Sequence, residues 1–136
     1  MAKSALTFPY QYKQIDYGRI INPLTCIKVK ASWGWQPLWF LLDSGADTTM
    51  LTVPLAKSLG LDFDITKKTQ LFGIGEKSVN AYPSKVTLQL KGLDLDVRCY
   101  FIDAKESTLL LGRLDIFDKF NILFNTQKRQ MILYPI

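Results

Sequence analysis

The residues able to do chemistry gather in three short stretches: "DSGAD" at 43–47, "FGIGE" at 72–76 and "GR" at 112–113. The first is the most unusual. An apolar run, "WFLL" (39–42), delivers Asp43 and then breaks into a hydroxyl residue, Ser44, and two small residues, Gly45 and Ala46. A carboxylate so placed is either an Asx residue shaping a turn or a proton-transfer group presented at the rim of a core. The chain has no histidine, which removes Ser-His-Asp and Cys-His activation and most transition-metal sites. Its two cysteines, Cys26 and Cys99, are too few for a disulfide scaffold or a zinc site and are expected to be buried, reduced and apolar in behaviour. Catalysis must then run on carboxylates, lysine, tyrosine or backbone groups, and neither a metal nor an organic cofactor is expected.

Two other uses of these stretches fail on spacing. "GIGEKS" (73–78) is not a phosphate loop, because Glu76 stands where glycine must precede Lys-Ser, and a negative charge there repels phosphate. "DSGAD" is not a calcium loop, since its acids are not at alternate positions and its glycine comes third rather than sixth.

These residues need a scaffold. A chain of 136 residues, 48% hydrophobic and 21% charged, suits one compact domain. It is long enough to bury roughly two thirds of its surface. No apolar run is long enough to span a membrane, and the N-terminus lacks the continuous apolar stretch of a secretory signal, so a cytoplasmic protein with no membrane partner is expected. The net charge of +5 could suit nucleic acid. The basic residues are scattered, however, with Lys67-Lys68 and Lys128-Arg129 the densest groups. Trp33, Trp35 and Tyr82 form no ordered stripe with lysine or arginine in the sequence, so a small basic barrel on nucleic acid is the weaker reading and no nucleic acid is expected.

Residues 1–18 lack a period and read as an arm; residues 19–136 read as one β-rich domain. "TCIKVKAS" alternates and pairs across "SWG" with "GWQPLWFLLD" as a hairpin. Within the latter, "LWFLL" suggests a strand buried on both faces. "VPLAKSLGL" (53–61) reads as a short helix with Pro54 in its first turn and Gly60 at its stop. "TQLFGIGEKSVNAY" (69–82) is a hairpin with a glycine tip. "SKVTLQLKGLDLDVRCYFID" (84–103) is a strand pair, and "NILFNTQKRQMILY" (121–134) is another. "RLDIFDKF" (113–120) predicts a helix with Leu114, Phe117 and Phe120 on one face. An apolar run ending in a glycine turn occurs twice, at "WFLLDSGA" and "TLLLGRLD", and only the first carries the acid.

"FLLDSGADTTML", "LFGIGEK" and "LLLGRLDIF", in this order and spacing, together resemble the retropepsin-type aspartic proteases, a family of retroviral and retrotransposon proteases and related single-domain proteins of bacteria and eukaryotes. The resemblance covers roughly residues 19–134. It implies an all-β acid-protease fold, a closed β-barrel with one or two short helices and one lobe per chain. It implies that Asp43 is the catalytic carboxylate, that the Ser44 hydroxyl bonds across a dimer, that Gly45 lets substrate backbone approach, and that Ala46 and Asp47 border the cleft. Arg113, after Gly112, would form a partly buried pair with Asp47. Phe72, Gly73, Ile74, Gly75 and Glu76 would form a flap that closes over substrate. Glu76, Ser44 and Thr48 depart from the residues usual in viral members, and residues 1–18 match nothing.

The chemistry agrees with the resemblance. Water activated between two carboxylates that share a proton needs two aspartates, one acting as base and the other as acid. This chain supplies one Asp-Ser-Gly, so a homodimer with the site on its two-fold axis is expected. An extended peptide would lie in the cleft with strand-like hydrogen bonds, its apolar side chains in apolar pockets. The rival within the same fold is a non-catalytic dimerisation or peptide-binding module.

Overall fold

The computed structural model of the chain describes residues 4–73 and 77–136. It is an all-β protein. The clearest sequence-to-strand relation is β4 (Leu24–Ala31), which buries Thr25, Ile27, Val29 and Ala31 and turns Cys26, Lys28 and Lys30 outward. β4 pairs antiparallel with β5 (Gly34–Leu42) across the Ser32-Trp33 turn, from Leu24↔Leu41 to Ala31↔Gly34. β5 corrects one expectation. Phe40 and Leu42 are buried, but Trp35 and Trp39 are exposed, on a face that stays largely open to solvent. The same alternation places Cys26 in solvent, not in the core, while Cys99 is buried as expected.

After the loop that carries Asp43 come β6 (Thr49–Thr52) and α1 (Val53–Ser58), the single regular helix among the described residues. The Thr52 hydroxyl caps α1 by accepting the Leu55 amide at 3.3 Å, with Pro54 in the first turn. A short 3-10 turn (Ile65–Lys67) leads to β7 (Thr69–Phe72), which pairs with β8 (Ser78–Leu90). β8 then folds back through Lys91-Gly92 onto β9 (Leu93–Ile102). β10 (Leu109–Leu111), β11 (Phe120–Asn125) and β12 (Gln130–Pro135) complete the chain.

The predicted helix over 113–120 is not formed. Residues 113–117 make one irregular turn in which Leu114 is extended and Asp115 has φ 66°, and Phe120 already begins β11. The cause is Asp115, whose side chain turns inward to an arginine on β9 and pulls the backbone out of helical geometry.

The main sheet has the order β4-β5-β10-β6-β9-β8-β7, and β8 also meets β4 at Lys28↔Gln89 and Val29↔Leu88, so the sheet returns on itself. Its interior is filled by Phe40, Leu51, Leu88, Phe101 and Leu111, all fully buried. The segment read as an arm is folded from Leu6 onward. β1 (Leu6–Pro9) pairs with β12 in a three-stranded sheet ordered β1-β12-β11, and Leu6, Phe8 and Tyr10 join the core. β2 (Gln11–Ile15) and β3 (Gly18–Asn22) form a hairpin of their own, and the boundary expected after residue 18 falls within β3. No helix among the described residues is long and apolar enough to cross a membrane.

Candidate active site

Two parallel strands build the site. β5 and β10 lie side by side in register, Phe40 with Leu109 through Leu42 with Leu111. The apolar run that recurs in the sequence is therefore a pair of neighbouring strands, and both end at the same level. One step further, β5 carries Asp43 and β10 carries Gly112. The Asp43 amide donates to the Leu111 carbonyl at 3.0 Å, so the last bond of the parallel ladder fixes the backbone of the acid. On its other side β10 meets β6 at Leu110↔Met50. The strand that enters the 43–48 loop and the strand that leaves it thus flank β10.

The loop itself is tight. The Gly45 amide donates to Asp43 Oδ1 at 2.9 Å, and the Ala46 amide to the Asp43 carbonyl at 3.2 Å. The first of these is an Asx turn. The Asp43 side chain is half-buried, and its second carboxylate oxygen has no hydrogen-bond partner among the described residues.

Gly112 is required by the crossing of the two loops. A Cβ added there would lie 2.3 Å from both the carbonyl carbon and the oxygen of Thr48, which are backbone atoms. Its amide donates to the buried Thr49 hydroxyl at 3.3 Å. Arg113 then clasps the loop from below. Its amide donates to the Ala46 carbonyl at 2.9 Å, and the next amide, of Leu114, donates to the Asp47 carbonyl at 3.0 Å. Its guanidinium donates to the Ser44 carbonyl at 2.8 Å through one nitrogen and to the Asp47 carboxylate through another. Sequence reasoning expected this ion pair to be partly buried. In the single chain the two side chains are 53% and 85% exposed. An ion pair so hydrated contributes little to stability; what it supplies is geometry, since one planar group bridges two points of the loop.

A second ion pair, not anticipated from sequence, holds the clasp. The Asp115 carboxylate accepts three hydrogen bonds from Arg98 of β9, from its amide, Nε and Nη2, each at 2.9 Å. Asp115 is buried. The bond from the Arg98 guanidinium holds its carboxyl well below the ordinary range, at about 2, against the opposing effect of burial. The only sequence signal was an acid inside the apolar "RLDIF", and nothing local named its partner.

The loop borders a depression of about 430 Å³ lined by Gly45, Ala46, Asp47, Thr48 and Met50 on one side and Gln70, Leu71 and Phe72 of β7 on the other. The fold thus brings the base of the expected flap beside the loop. Asp43 does not line this depression. Phe72 is 72% exposed and Gly73 also stands in solvent, whereas Ile74, Gly75 and Glu76 lie outside the described residues.

Comparison with known proteins follows the same outline. A family model described as aspartyl protease matches residues 28–113. Among solved structures, EIAV protease, determined with the inhibitor HBY-793, is 29% identical, covers 68% of this chain and 82% of its own, and superposes with a TM-score of 0.54. A retropepsin-like aspartic protease from Rickettsia conorii is 18% identical, covers 96% of this chain and 99% of its own, and gives a TM-score of 0.61; at that identity the likeness is one of fold. No curated protein matches the sequence.

Proposed function

Because the chain belongs to the aspartyl protease family, we propose that it is an aspartic endopeptidase that works as a homodimer, with water activated between the Asp43 carboxylates of two copies. The observation that carries this reading is the setting of Asp43. Its backbone is pinned by β10, its Oδ1 is oriented by Gly45, and its other oxygen is left free of hydrogen bonds from the described residues. Two such groups brought together cannot both ionise easily, so they share one proton and titrate as a coupled pair. The ionised member takes a proton from water as that water attacks the peptide carbonyl, and the protonated member gives its proton to the carbonyl oxygen.

The remaining residues take supporting roles. The Ser44 hydroxyl bonds to the partner loop, Gly45 admits substrate backbone, and Asp47, held by Arg113, meets the substrate main chain. Phe72 to Glu76 close as the flap. Dimerisation is supported by the single Asp-Ser-Gly per chain and by β11, an edge strand that exposes Leu123 and Phe124; apolar sheet edges of this kind pair with another chain. The substrate is an extended peptide with apolar side chains about the cleaved bond. The free thiol of Cys26 suits a reducing, cytoplasmic compartment.

The test compares wild type with Asp43→Asn on a peptide library across pH, with sedimentation of both. The expected result is cleavage by a dimeric wild type and none by an equally dimeric variant. Equal cleavage by both, or a dimeric wild type that cleaves nothing, overturns the reading in favour of a non-catalytic module.

A further inference from the structure

The chain has three tryptophans, and all lie on the β4–β5 hairpin. Trp33 stands in its turn, and Trp35 and Trp39 face outward from β5; they are 61%, 37% and 51% exposed. Pro37 lies between the latter two on the same face. Large aromatic side chains left in water as a contiguous group mark a surface that meets something. The strand register says what stands beside them. Lys30 is opposite Trp35, Lys28 is opposite Pro37, and Cys26 is opposite Trp39; directly opposed residues on one face are neighbours at about 5 Å between Cβ atoms. The outer face of the hairpin is therefore an aromatic row running alongside a row of cations. Neither Lys28 nor Lys30 has an ion-pair partner among the described residues.

A further cation, Lys91 of the turn after β8, stands near Lys28. Lys28 pairs in register with Gln89 of β8. A depression of about 250 Å³ there is lined by Cys26, Lys28, Gln89, Lys91 and Gly92, with no carboxylate in its wall. The two acids on that side, Asp94 and Asp96, lie one strand further out on β9, and each accepts a side-chain hydrogen bond from β8, Asp94 from the Gln89 amide at 3.0 Å and Asp96 from the Thr87 hydroxyl at 2.8 Å. A smaller depression, about 160 Å³, adjoins it, shares Cys26 and Lys91, and is walled by Trp39, Leu24 and Phe8. An anion-attracting basin thus abuts an apolar, aromatic one.

We propose that this face binds single-stranded nucleic acid, with bases stacked on Trp35 and Trp39, Pro37 between them, and phosphates against Lys28, Lys30 and Lys91. Alternate residues of a strand are about 6.8 Å apart, close to the reach of one extended nucleotide, so the three apolar side chains form a ladder at nucleotide spacing. Stacking needs unpaired bases, and the lysine row tracks the backbone beside them, which is how sequence-tolerant single-strand sites are built. A duplex hides its base faces and meets only the lysines. No stripe is visible in the linear order because its members sit at alternate positions of two strands, and only the register joins them. This inference does not depend on the proteolytic reading.

The experiment titrates the full chain with an oligothymidylate of about 12 nucleotides, following both tryptophan fluorescence and the anisotropy of a labelled oligonucleotide. Saturable quenching is expected, with binding that weakens as salt rises by a log-log slope of about −2, as neutralising three phosphates requires. Trp35→Ala and Trp39→Ala should each weaken binding roughly ten-fold or more, and Trp35→Phe and Trp39→Phe, which keep a stacking ring, should restore most of it. Lys28→Glu with Lys30→Glu should weaken binding and flatten the salt slope. Absence of quenching at low salt, affinity unchanged in the alanine variants, or equal affinity for the duplex overturns the proposal. So does binding to vesicles of anionic phospholipid while the oligonucleotide leaves the fluorescence unchanged.

Discussion

Asp115 offers a quantitative test of how the Arg113 clasp is held. The substitution is Asp115→Asn. Asparagine tolerates the left-handed backbone that this position adopts, at φ 66°, and is isosteric, so the change removes charge with little disturbance of shape. The folded carboxyl sits at about 2 instead of 3.8, first because of its hydrogen bonds from the Arg98 guanidinium. One pKa unit corresponds to 1.36 kcal/mol, which puts the linked stabilisation near 2 kcal/mol. The Arg98 side chain is 58% exposed, and solvent screening reduces the figure, so a loss of about 1–2 kcal/mol at neutral pH is expected. The sign follows from the direction of the shift. A carboxyl depressed on folding stabilises fully above its unfolded value near 4, and the effect is lost as pH falls through about 2.

Urea titrations of wild type and variant at pH 7 and at pH 2.5 read this directly. The gap in unfolding free energy should be about 1–2 kcal/mol at pH 7 and clearly smaller at pH 2.5, with a lowering of the melting temperature by several degrees at neutral pH. Equal stabilities at pH 7 would refute the reasoning, as would a gap of constant size at both pH values, since a shape effect does not titrate.

Three further outcomes are expected. Gly112→Ala places a methyl 2.3 Å from the Thr48 carbonyl, so denaturation should show a loss of about 1–3 kcal/mol and peptide cleavage should fall even under conditions where the variant remains folded. Arg113→Lys cannot reach both the Ser44 carbonyl and the Asp47 carboxylate; melting should change by less than about 1 kcal/mol, because the pair is hydrated, while kcat/KM drops more than ten-fold. Alkylation followed by mass spectrometry should label Cys26 in the native protein but Cys99 only on unfolding, since Cys99 is buried and its thiol is pushed up to about 12 by that burial.

Where the sequence was legible, the information was local. The alternation of β4, the first-turn Pro54 and the Gly60 stop of α1 and the Lys91-Gly92 turn each depend on neighbours a few positions away, and the structure has them in place. The Asp43 loop belongs to the same class, because an apolar run broken by Asp-Ser-Gly is a local pattern. The failures came where a side chain answers to a distant partner or to an absent one. "RLDIF" has helical spacing, yet Asp115 turns to Arg98, 17 residues back on another strand, and one buried charge outweighs a weak apolar period. "LWFLL" is apolar throughout, and hydrophobicity cannot say that one face of β5 stays largely open to solvent. Cys26 followed that face into solvent for the same reason.

The two readings of Asp43 offered by the sequence are not exclusive, and a second aspartate in the chain separates their parts. Asp64 is an acid used purely as a local cap: its Oδ1 accepts both the amide and the hydroxyl of Thr66, at 2.9 and 2.6 Å. Among the described residues the Asp43 carboxylate accepts only the Gly45 amide. The Asx turn therefore uses one oxygen to aim the group and leaves the other uncommitted. At the same time its backbone is tied to Leu111, and the loop beyond it is tied to Arg113 at four points, the Ser44, Ala46 and Asp47 carbonyls and the Asp47 carboxylate, counting the adjoining Leu114 amide. A turn that only reversed the chain would need no such bracing. Close positional control is what a reacting group requires, since a misplacement of about 0.5 Å already weakens a catalytic arrangement. A carboxylate held this firmly with one oxygen left open is what the proposed reading, a second Asp43 across a dimer axis, asks of this loop.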